Sequence, residues 1–95
     1  MFYSLEAEDD LAEITAYYLA ESGTILAERI LLQITERIAS LSHFPYRTLA
    51  SQKVIGTREF KITGLPYNVF LVIEEAHEQI KVLRVLHTSR LFPNS

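Results

Sequence analysis

The first half of the chain carries two helical patterns that follow one another almost without a break. In TILAERILLQITERIASLSHF, which starts at Thr24, apolar residues recur every three or four positions, and EAEDDLAEITAYYLAES before it has the same spacing. Ser22-Gly23 separates the two patterns, and glycine readily adopts the left-handed conformation that ends a helix. Two helices joined so closely pack as an antiparallel hairpin. Each has a single apolar stripe, so the pair requires a third surface to cover.

Helix-capping signals set the predicted bounds of this hairpin at about residues 6–43. Ser4 is the predicted N-cap of the first helix, and Thr24 is the predicted N-cap of the second, which Pro45 ends. The first turns are rich in acids, where the helix dipole favours negative charge: Glu6, Glu8, Asp9 and Asp10. We interpret this acidic run as stabilisation of the helix start together with a solvated face.

The second half of the chain alternates as β-strands do and supplies the third surface. TREFKI alternates, PYNVFLVIEE is apolar on both faces as in an interior strand, and IKVLRVLH is the last strand. MFYSL at 1–5 is a further short strand, and PYRTLASQKVIG at 45–56 is a polar loop. The order βααβββ predicts an α+β fold in which the N-terminal helical hairpin packs on a small, mainly antiparallel sheet. We predict one domain over residues 1–95, with the sheet at about 57–87 plus the strand 1–5.

Composition and charge exclude some classes of protein and argue against nucleic-acid binding without excluding it. The chain has no cysteine, its histidines (His43, His77 and His87) lack the spacing of zinc ligands, and it has no Gly-rich phosphate loop, so we expect neither metal nor cofactor. No apolar run could cross a bilayer, and the N-terminus is acidic where a secretory signal is basic, which predicts a cytoplasmic location. The net charge is −6 over residues 1–43 and +3 over residues 44–95, too little positive charge for typical nucleic-acid binding.

Cationic and titratable residues lie at the end of the last strand, in 81-KVLRVLHTSR-90. Strict alternation predicts one row with Ile80, Val82, Arg84 and Leu86, and another with Lys81, Leu83, Val85 and His87. Arg84 then lies in an otherwise apolar row. It is either a structural cation paired with a carboxylate such as Glu59 or Glu74, or part of a functional surface. His87 is either a hydrogen-bonded strand end or a functional group.

Arg58 repeats this pattern on TREFKI, where it shares a strand face with Phe60 and Ile62. We expect it to lie near Arg84 if their strands flank the interior strand. Two arginines on one sheet face repel each other unless an anion or a carboxylate lies between them, so salt bridges and a binding site are both open alternatives. Arg90, in the tail, is most simply a solvated charge.

Several segments, taken in order, resemble those of the RelE/ParE superfamily of bacterial toxins. The resemblance is closer to the ParE branch than to the RelE branch. The segments are EAEDDLAEITAYY, AERILLQITERI ending in LSHFP, GTREFKI, PYNVFLVIE and IKVLRVLHTSR. The resemblance implies a toxin of a plasmid stabilisation system, neutralised by a cognate ParD-like antitoxin in a 1:1 or 2:2 complex. ParE-like toxins act on DNA gyrase and cause growth arrest, whereas RelE-like toxins cleave mRNA on the ribosome. The resemblance also implies that the antitoxin binds operator DNA and that the toxin alone does not.

The residues favour the gyrase-directed alternative. RNA cleavage by 2′-hydroxyl attack requires a base, a cation for the phosphate and an acid for the leaving oxygen. Arg58, Arg84 and His87 are the catalytic candidates of the nuclease alternative. RelE-like nucleases carry a tyrosine after the last strand, and other nuclease members a His-Tyr pair, whereas here Thr88 follows His87 and the last tyrosine is Tyr67, so the acid that the resemblance implies is missing. The pI of about 5.5 also fits poorly with docking on ribosomal RNA.

We therefore expect a binding toxin rather than an enzyme, without catalytic residues. Arg58, Arg84, His87 and Arg90 would form a polar patch that contacts the antitoxin, gyrase or both. An open sheet edge and a groove on the helical hairpin are the surfaces that we expect the antitoxin to occupy. An inactive homologue that retains only antitoxin binding is a third alternative.

Overall fold

The computed structural model describes residues 1–43, 48–50, 56–77 and 79–89. The elements in chain order are β1 (Phe2–Tyr3), α1 (Leu5–Ser22), α2 (Thr24–Ala39), a 3₁₀ turn (Ser40–Ser42), β2 (Leu49–Ala50), β3 (Arg58–Lys61), β4 (Tyr67–Glu74), a second 3₁₀ turn (Glu75–His77) and β5 (Gln79–His87). The strands form a five-stranded sheet in the order β1-β5-β4-β3-β2. β1 is parallel to β5, and the other neighbouring strands are antiparallel. The predicted α+β fold is confirmed.

The sheet contains one strand that the sequence did not predict. Leu49–Ala50 lies in the predicted loop 45–56 and pairs with β3. A strand this short has no room for repeated alternation, and both of its residues are exposed, so its sequence looks like that of a loop. Pro45, the predicted end of the second helix, lies outside the described residues, whereas α2 itself ends at Ala39 and continues into a 3₁₀ turn.

Ser4 caps α1, as the sequence predicted, and it also ties the helix to the sheet. Its hydroxyl oxygen accepts a hydrogen bond from the N–H of Ala7 at 3.0 Å. The hydroxyl donates to the carbonyl of Leu83 at 2.8 Å, and the N–H of Ser4 donates to the carbonyl of Val82 at 2.8 Å. The start of α1 is therefore held against β5.

A single residue, Gly23, separates the two helices. It closes α1 by donating its N–H to the carbonyl of Leu19 at 3.1 Å, and its own carbonyl accepts from the N–H of Ala27 at 3.2 Å in the first turn of α2. Its backbone has φ 87° and ψ 178°, a combination that is essentially restricted to glycine. The prediction that Thr24 caps the second helix is wrong, because Gly23 already serves both helix ends and Thr24 is the first helical residue.

Gly23→Ala should lower the free energy of unfolding by about 2 kcal/mol, because an L-residue is strained at this φ and ψ. Apart from the neighbouring residues in the chain, no atom of the described residues lies within 4 Å of a Cβ atom placed at Gly23, so the loss reflects backbone strain and not a steric clash. Urea denaturation followed by circular dichroism measures the effect. Ser22→Ala, at an exposed neighbouring position, is the control and should change stability by less than about 0.5 kcal/mol. Equal stability of the two variants would contradict the prediction that alanine is strained at position 23.

The helical hairpin and one face of the sheet enclose the main core. Its buried members are Ala7, Ile14, Ile30, Ile34, Ile38, Leu41, Ile62, Tyr67, Val69, Leu71, Ile80, Val82 and Val85. On β4, Val69 and Leu71 belong to this core, and Phe70 between them points to the opposite face and is also completely buried. The prediction of an interior strand, apolar on both faces, is confirmed for this part of β4.

β5 contains a bulge at Leu83. Val82 pairs with Leu71 and Arg84 pairs with Phe70, which are consecutive residues of β4. Leu83 is therefore an extra residue with no cross-strand partner of its own. A bulge of this kind shifts the alternation of side chains by one position.

The bulge overturns part of the alternation predicted for the last strand. In the predicted row, Arg84 and Leu86 followed Val82 on one face. In the structure Val85 follows Val82 instead, since it is 2% exposed and belongs to the main core. The predicted rows are wrong beyond Leu83, because alternation continues only while each residue has its own partner on the neighbouring strand.

Candidate partner-binding site

Arg84 forms a bidentate ion pair with Asp10 of α1, which we call the Asp10–Arg84 clasp. The Nε–Oδ2 and Nη2–Oδ1 distances are 2.8 and 2.9 Å. Asp10 Oδ2 also accepts a hydrogen bond from the backbone N–H of Val85 at 2.9 Å. Asp10 is 6% exposed, so its charge is satisfied by protein groups more than by water. The sequence pattern predicted Asp10 only as part of the acidic start of the helix and gave no sign of this contact.

The short first strand explains why Asp10 reaches β5. β1 pairs with Lys81 and Val82 and then ends, so the edge of β5 from Leu83 onward faces α1. Asp10 lies about one and a half turns into α1, which begins at this edge. Its carboxylate takes the place of a neighbouring strand for the N–H of Val85.

The clasp corrects the prediction that Glu59 or Glu74 pairs with Arg84. Glu59 lies on β3, on the far side of β4 from Arg84, and Glu74 pairs with Gln79 at the turn end of β4 and β5. Hydrogen bonds to Asp10 raise the pKa of Arg84 further above its high usual value, while partial burial opposes this. Arg84 is thus paired with a carboxylate, as the structural alternative proposed, but with a different one.

Arg58 does not join Arg84 in a common anion site. It pairs with Leu71, whereas Arg84 pairs with Phe70, the adjacent residue of β4 that points to the opposite face. The Arg58 guanidinium donates from Nε to the hydroxyl of Thr48 and from Nη2 to the carbonyl of Thr48. The expectation that the two arginines converge on one sheet face is wrong, because the bulge in β5 separates them.

His87 ends β5 with an exposed ring. The ring packs edge-on against Tyr67, with the ring centroids 5.7 Å apart. Its Nδ1 accepts a hydrogen bond from the backbone N–H of Ser89 at 3.1 Å and lies 2.9 Å from the Ser89 hydroxyl oxygen. Because Nδ1 is an acceptor here, the proton of the neutral ring lies on Nε2, which can donate to a partner. Arg90 lies outside the described residues.

A cavity of about 250 Å³ lies between α1 and the end of β5, and we call it the α1–β5 cavity. Its lining residues are Asp10, Glu13, Ile14, Tyr17, Tyr67, Val85 and His87. The Tyr67 hydroxyl lies 3.4 Å from that of Tyr18, whose ring packs edge-on against Tyr17. In the sequence these tyrosines appeared only as parts of helix and strand patterns. The adjacent pair Tyr17 and Tyr18 was the sequence signal that a tyrosine lies outside the core, because neighbouring helix positions cannot both face the core.

Tyr67 should make stability fall at high pH. Burial, followed by the hydrogen bond with Tyr18 and the charges of Tyr18 and Tyr17, raises the pKa of Tyr67 well above its usual value near 10. A group whose pKa is raised on folding contributes stability below its unfolded pKa and loses it as pH rises towards the folded pKa. By pH 11, Tyr67 should lower the free energy of unfolding by about 1.4 kcal/mol relative to pH 8.

Urea denaturation at pH 8 and pH 11 measures this dependence. Tyr67→Phe should remove most of it, while Tyr17→Phe, at a position 59% exposed, should retain it. Burial also raises the pKa of Tyr3, so a smaller dependence should persist in Tyr67→Phe. An unchanged pH dependence in Tyr67→Phe would contradict the assignment.

A second depression, of about 510 Å³, lies between α1 and α2, and we call it the hairpin groove. Its lining residues are Glu8, Leu11, Ala12, Thr15, Ala16, Leu19 and Leu31. Leu19 is 50% exposed, and Ile25 and Leu32 on α2 are more exposed still. The apolar residues that line the groove itself, Leu11, Leu19 and Leu31 among them, form a surface typical of those that bind another protein.

In residues 1–43, 48–50, 56–77 and 79–89, no group of three or more His, Asp or Glu side chains could hold a metal ion. In the same residues no helix is long and apolar enough to cross a membrane. The structure does not gather the nuclease candidates Arg58, Arg84 and His87 around one point. The two arginines have separate partners and lie on different faces of the sheet.

Comparisons with known proteins agree with the resemblance seen in the sequence. The profile of the family described as "ParE toxin of type II toxin-antitoxin system, parDE" matches residues 1–92. No curated protein matches the sequence. A chain of the solved structure "Chromosomal ParDE TA system from P. aeruginosa" has a similar fold, with a TM-score of 0.80 and 20% sequence identity over 90% of this chain and 91% of that chain. Because the family profile covers nearly the whole sequence, this chain belongs to the ParE family of toxins of type II toxin–antitoxin systems.

Proposed function

We propose that this ParE-family toxin acts by poisoning DNA gyrase and that a ParD-like antitoxin neutralises it. The observation that carries the proposal is the Asp10–Arg84 clasp. A carboxylate already occupies two donors of the Arg84 guanidinium, which makes it a poor cation for a scissile phosphate. A toxin that traps an existing enzyme–DNA intermediate needs a complementary surface and preference for the trapped state, without an acid or a base.

The mRNA-cleaving alternative receives less support from the other candidate residues. Phosphodiester cleavage requires a base, a cation and an acid around one phosphate. Arg58 donates to Thr48, and His87 uses Nδ1 to accept from Ser89. The register of the strands places Arg58 and Arg84 on different faces of the sheet.

The predicted binding residues are Arg58, Arg84, His87 and Arg90, and we assign them different roles, because Arg58 and Arg84 lie on different faces of the sheet. His87 is exposed and offers its Nε2–H to a partner. Arg84 fixes α1 to the end of β5, and Arg58 fixes Thr48 next to β2, so both arginines act through the fold. Arg90 follows Ser89 in the chain and would contribute a positive charge to partner binding.

Assays with purified gyrase test this proposal. We expect the protein to inhibit supercoiling and to accumulate cleaved DNA, and we expect mRNA on translating ribosomes to stay intact. If gyrase is unaffected while ribosome-bound mRNA is cut, the nuclease alternative is correct. If neither occurs and induction of the protein leaves viable counts unchanged, the chain is an inactive homologue.

Leu19→Glu should weaken binding of the ParD-like antitoxin by at least about tenfold. The hairpin groove offers an apolar surface for an amphipathic antitoxin helix, and a carboxylate in that contact loses its hydration without gaining a partner. Isothermal titration calorimetry measures the affinity, and light scattering distinguishes a 1:1 from a 2:2 complex. Glu21→Gln, an exposed polar position two residues further along α1, is the control. Unchanged affinity of Leu19→Glu would show that the antitoxin binds elsewhere.

A further inference from the structure

The α1–β5 cavity has a size and a lining that suit one side chain of another molecule. Its volume of about 250 Å³ far exceeds the share of one water, roughly 30 Å³, and lies below the roughly 300–1,000 Å³ of pockets for drug-sized ligands. The proposed binding residue His87 lies at its wall. A partner that contacts His87 therefore has this cavity within reach.

Two carboxylates, those of Asp10 and Glu13, lie in the polar part of the cavity. Glu13 is exposed and, within the described part of the chain, forms no ion pair of its own, although its charge acts on the Arg84 guanidinium at longer range. The N–H of Val85 points away from β4 to Asp10. Because the N–H and the carbonyl of a strand residue point to the same side, the carbonyl of Val85 also points away from β4. Residues 1–43 also carry a net charge of −6. The cavity thus complements a cation that donates several hydrogen bonds.

The other walls are apolar or aromatic. Ile14 and Val85 supply aliphatic surface, and the rings of Tyr17 and Tyr67 supply aromatic faces and edges. An arginine side chain matches both kinds of wall, because its stem is aliphatic and its planar guanidinium stacks on tyrosine rings while it donates to a carboxylate. A lysine ammonium is more strongly hydrated and lacks this planar geometry.

We propose that the α1–β5 cavity binds an arginine side chain of a partner protein, with Glu13 accepting from the guanidinium and Tyr17 covering it. This inference deepens the proposed function by naming the chemistry of one partner contact. It rests on that function only in taking the partner to be a protein. Asp10 is not a free acceptor for the arginine, since its oxygens already accept from Arg84 and Val85.

Titration of the ¹⁵N-labelled full chain with short peptides tests the inference. The probes are acetyl-Ala-Val-Arg-Val-Ala-amide and the same peptide with citrulline, which keeps the shape of arginine without its charge. We expect the arginine peptide to shift the amide signals of Glu13, Tyr17 and His87 in a saturable manner and to bind at least about tenfold more tightly than the citrulline peptide.

Glu13→Gln is the matched variant, because it removes the charge at an exposed position and keeps the side-chain shape. It should reduce the preference for arginine over citrulline to about twofold or less, whereas Glu21→Gln, on the same helix and outside the cavity, should keep the full preference. Equal binding of both peptides, absence of saturable binding, or shifts confined to the hairpin groove would overturn the inference. A lysine peptide that binds as tightly as the arginine peptide would overturn the assignment to arginine.

The test is independent of the proposed activity, because it contains neither antitoxin nor gyrase. A chain that leaves gyrase unaffected and still prefers the arginine peptide supports the cavity assignment while refuting the gyrase target. A chain that poisons gyrase and shows no preference for arginine refutes the cavity assignment alone.

Discussion

Asp10→Ala should lower the free energy of unfolding by about 3–4 kcal/mol in urea denaturation at pH 7. The substitution removes three hydrogen bonds at once, two from the Arg84 guanidinium and one from the N–H of Val85. The loss of one partner of a buried ion pair leaves the other charge without compensation, which typically costs about 3–5 kcal/mol. The Arg84 side chain is 20% exposed and regains some hydration, so we expect the lower part of that range.

Two further substitutions show whether the clasp is the cause. Asp9→Ala removes an exposed acid one position away and should change stability by less than about 0.5 kcal/mol. Asp10→Asn keeps one oxygen acceptor without the charge, and its effect should lie between those of the other two variants. If Asp10→Ala loses less than about 1 kcal/mol, the clasp contributes little to folding and Arg84 is available for other roles.

The same comparison bears on function. Arg84→Ala removes a cation, and Asp10→Ala removes its partner while keeping that cation. If the toxin contacts gyrase through the Arg84 guanidinium, Arg84→Ala should lose activity at temperatures where Asp10→Ala, still folded, keeps it. If Arg84 supports the site through the fold, both variants should lose activity in step with their loss of stability.

Phe70→Ala should lower the free energy of unfolding by about 4 kcal/mol and the melting temperature by about 15–25 °C. Phe70 is completely buried and lies on the face of β4 opposite the main core, so truncation to alanine removes a large apolar side chain and leaves a cavity. Calorimetry measures both quantities.

Val72→Ala is the matched control for Phe70, since Val72 lies two residues further along β4 on the same face and is partly buried. Its truncation should cost about 1 kcal/mol. A loss for Phe70→Ala that is no larger than that for Val72→Ala would show that this face of the sheet is not packed in solution.

Local sequence pattern determined the main elements of the fold. The spacing of apolar residues at three and four positions predicted both helices, Gly23 marked the link between them, and Ser4 marked the first cap. The apolar run PYNVFLVIEE predicted an interior strand because both of its faces must be covered, and Val69, Phe70 and Leu71 are completely buried. These features depend on interactions between residues close in sequence, or on burial alone, so they can be read without knowledge of the fold.

The candidate site was decided by tertiary structure. Asp10 and Arg84 are 74 positions apart, and they meet because β1 ends early and a bulge at Leu83 shifts the register of β5. Alternation predicted two arginines on one face, whereas the fold gives each guanidinium its own partner. The sequence alone thus determined which segments are helix or strand and which family the chain resembles. Cross-strand register and helix placement, which depend on the free energy of packing distant segments together, decided where each charge lies.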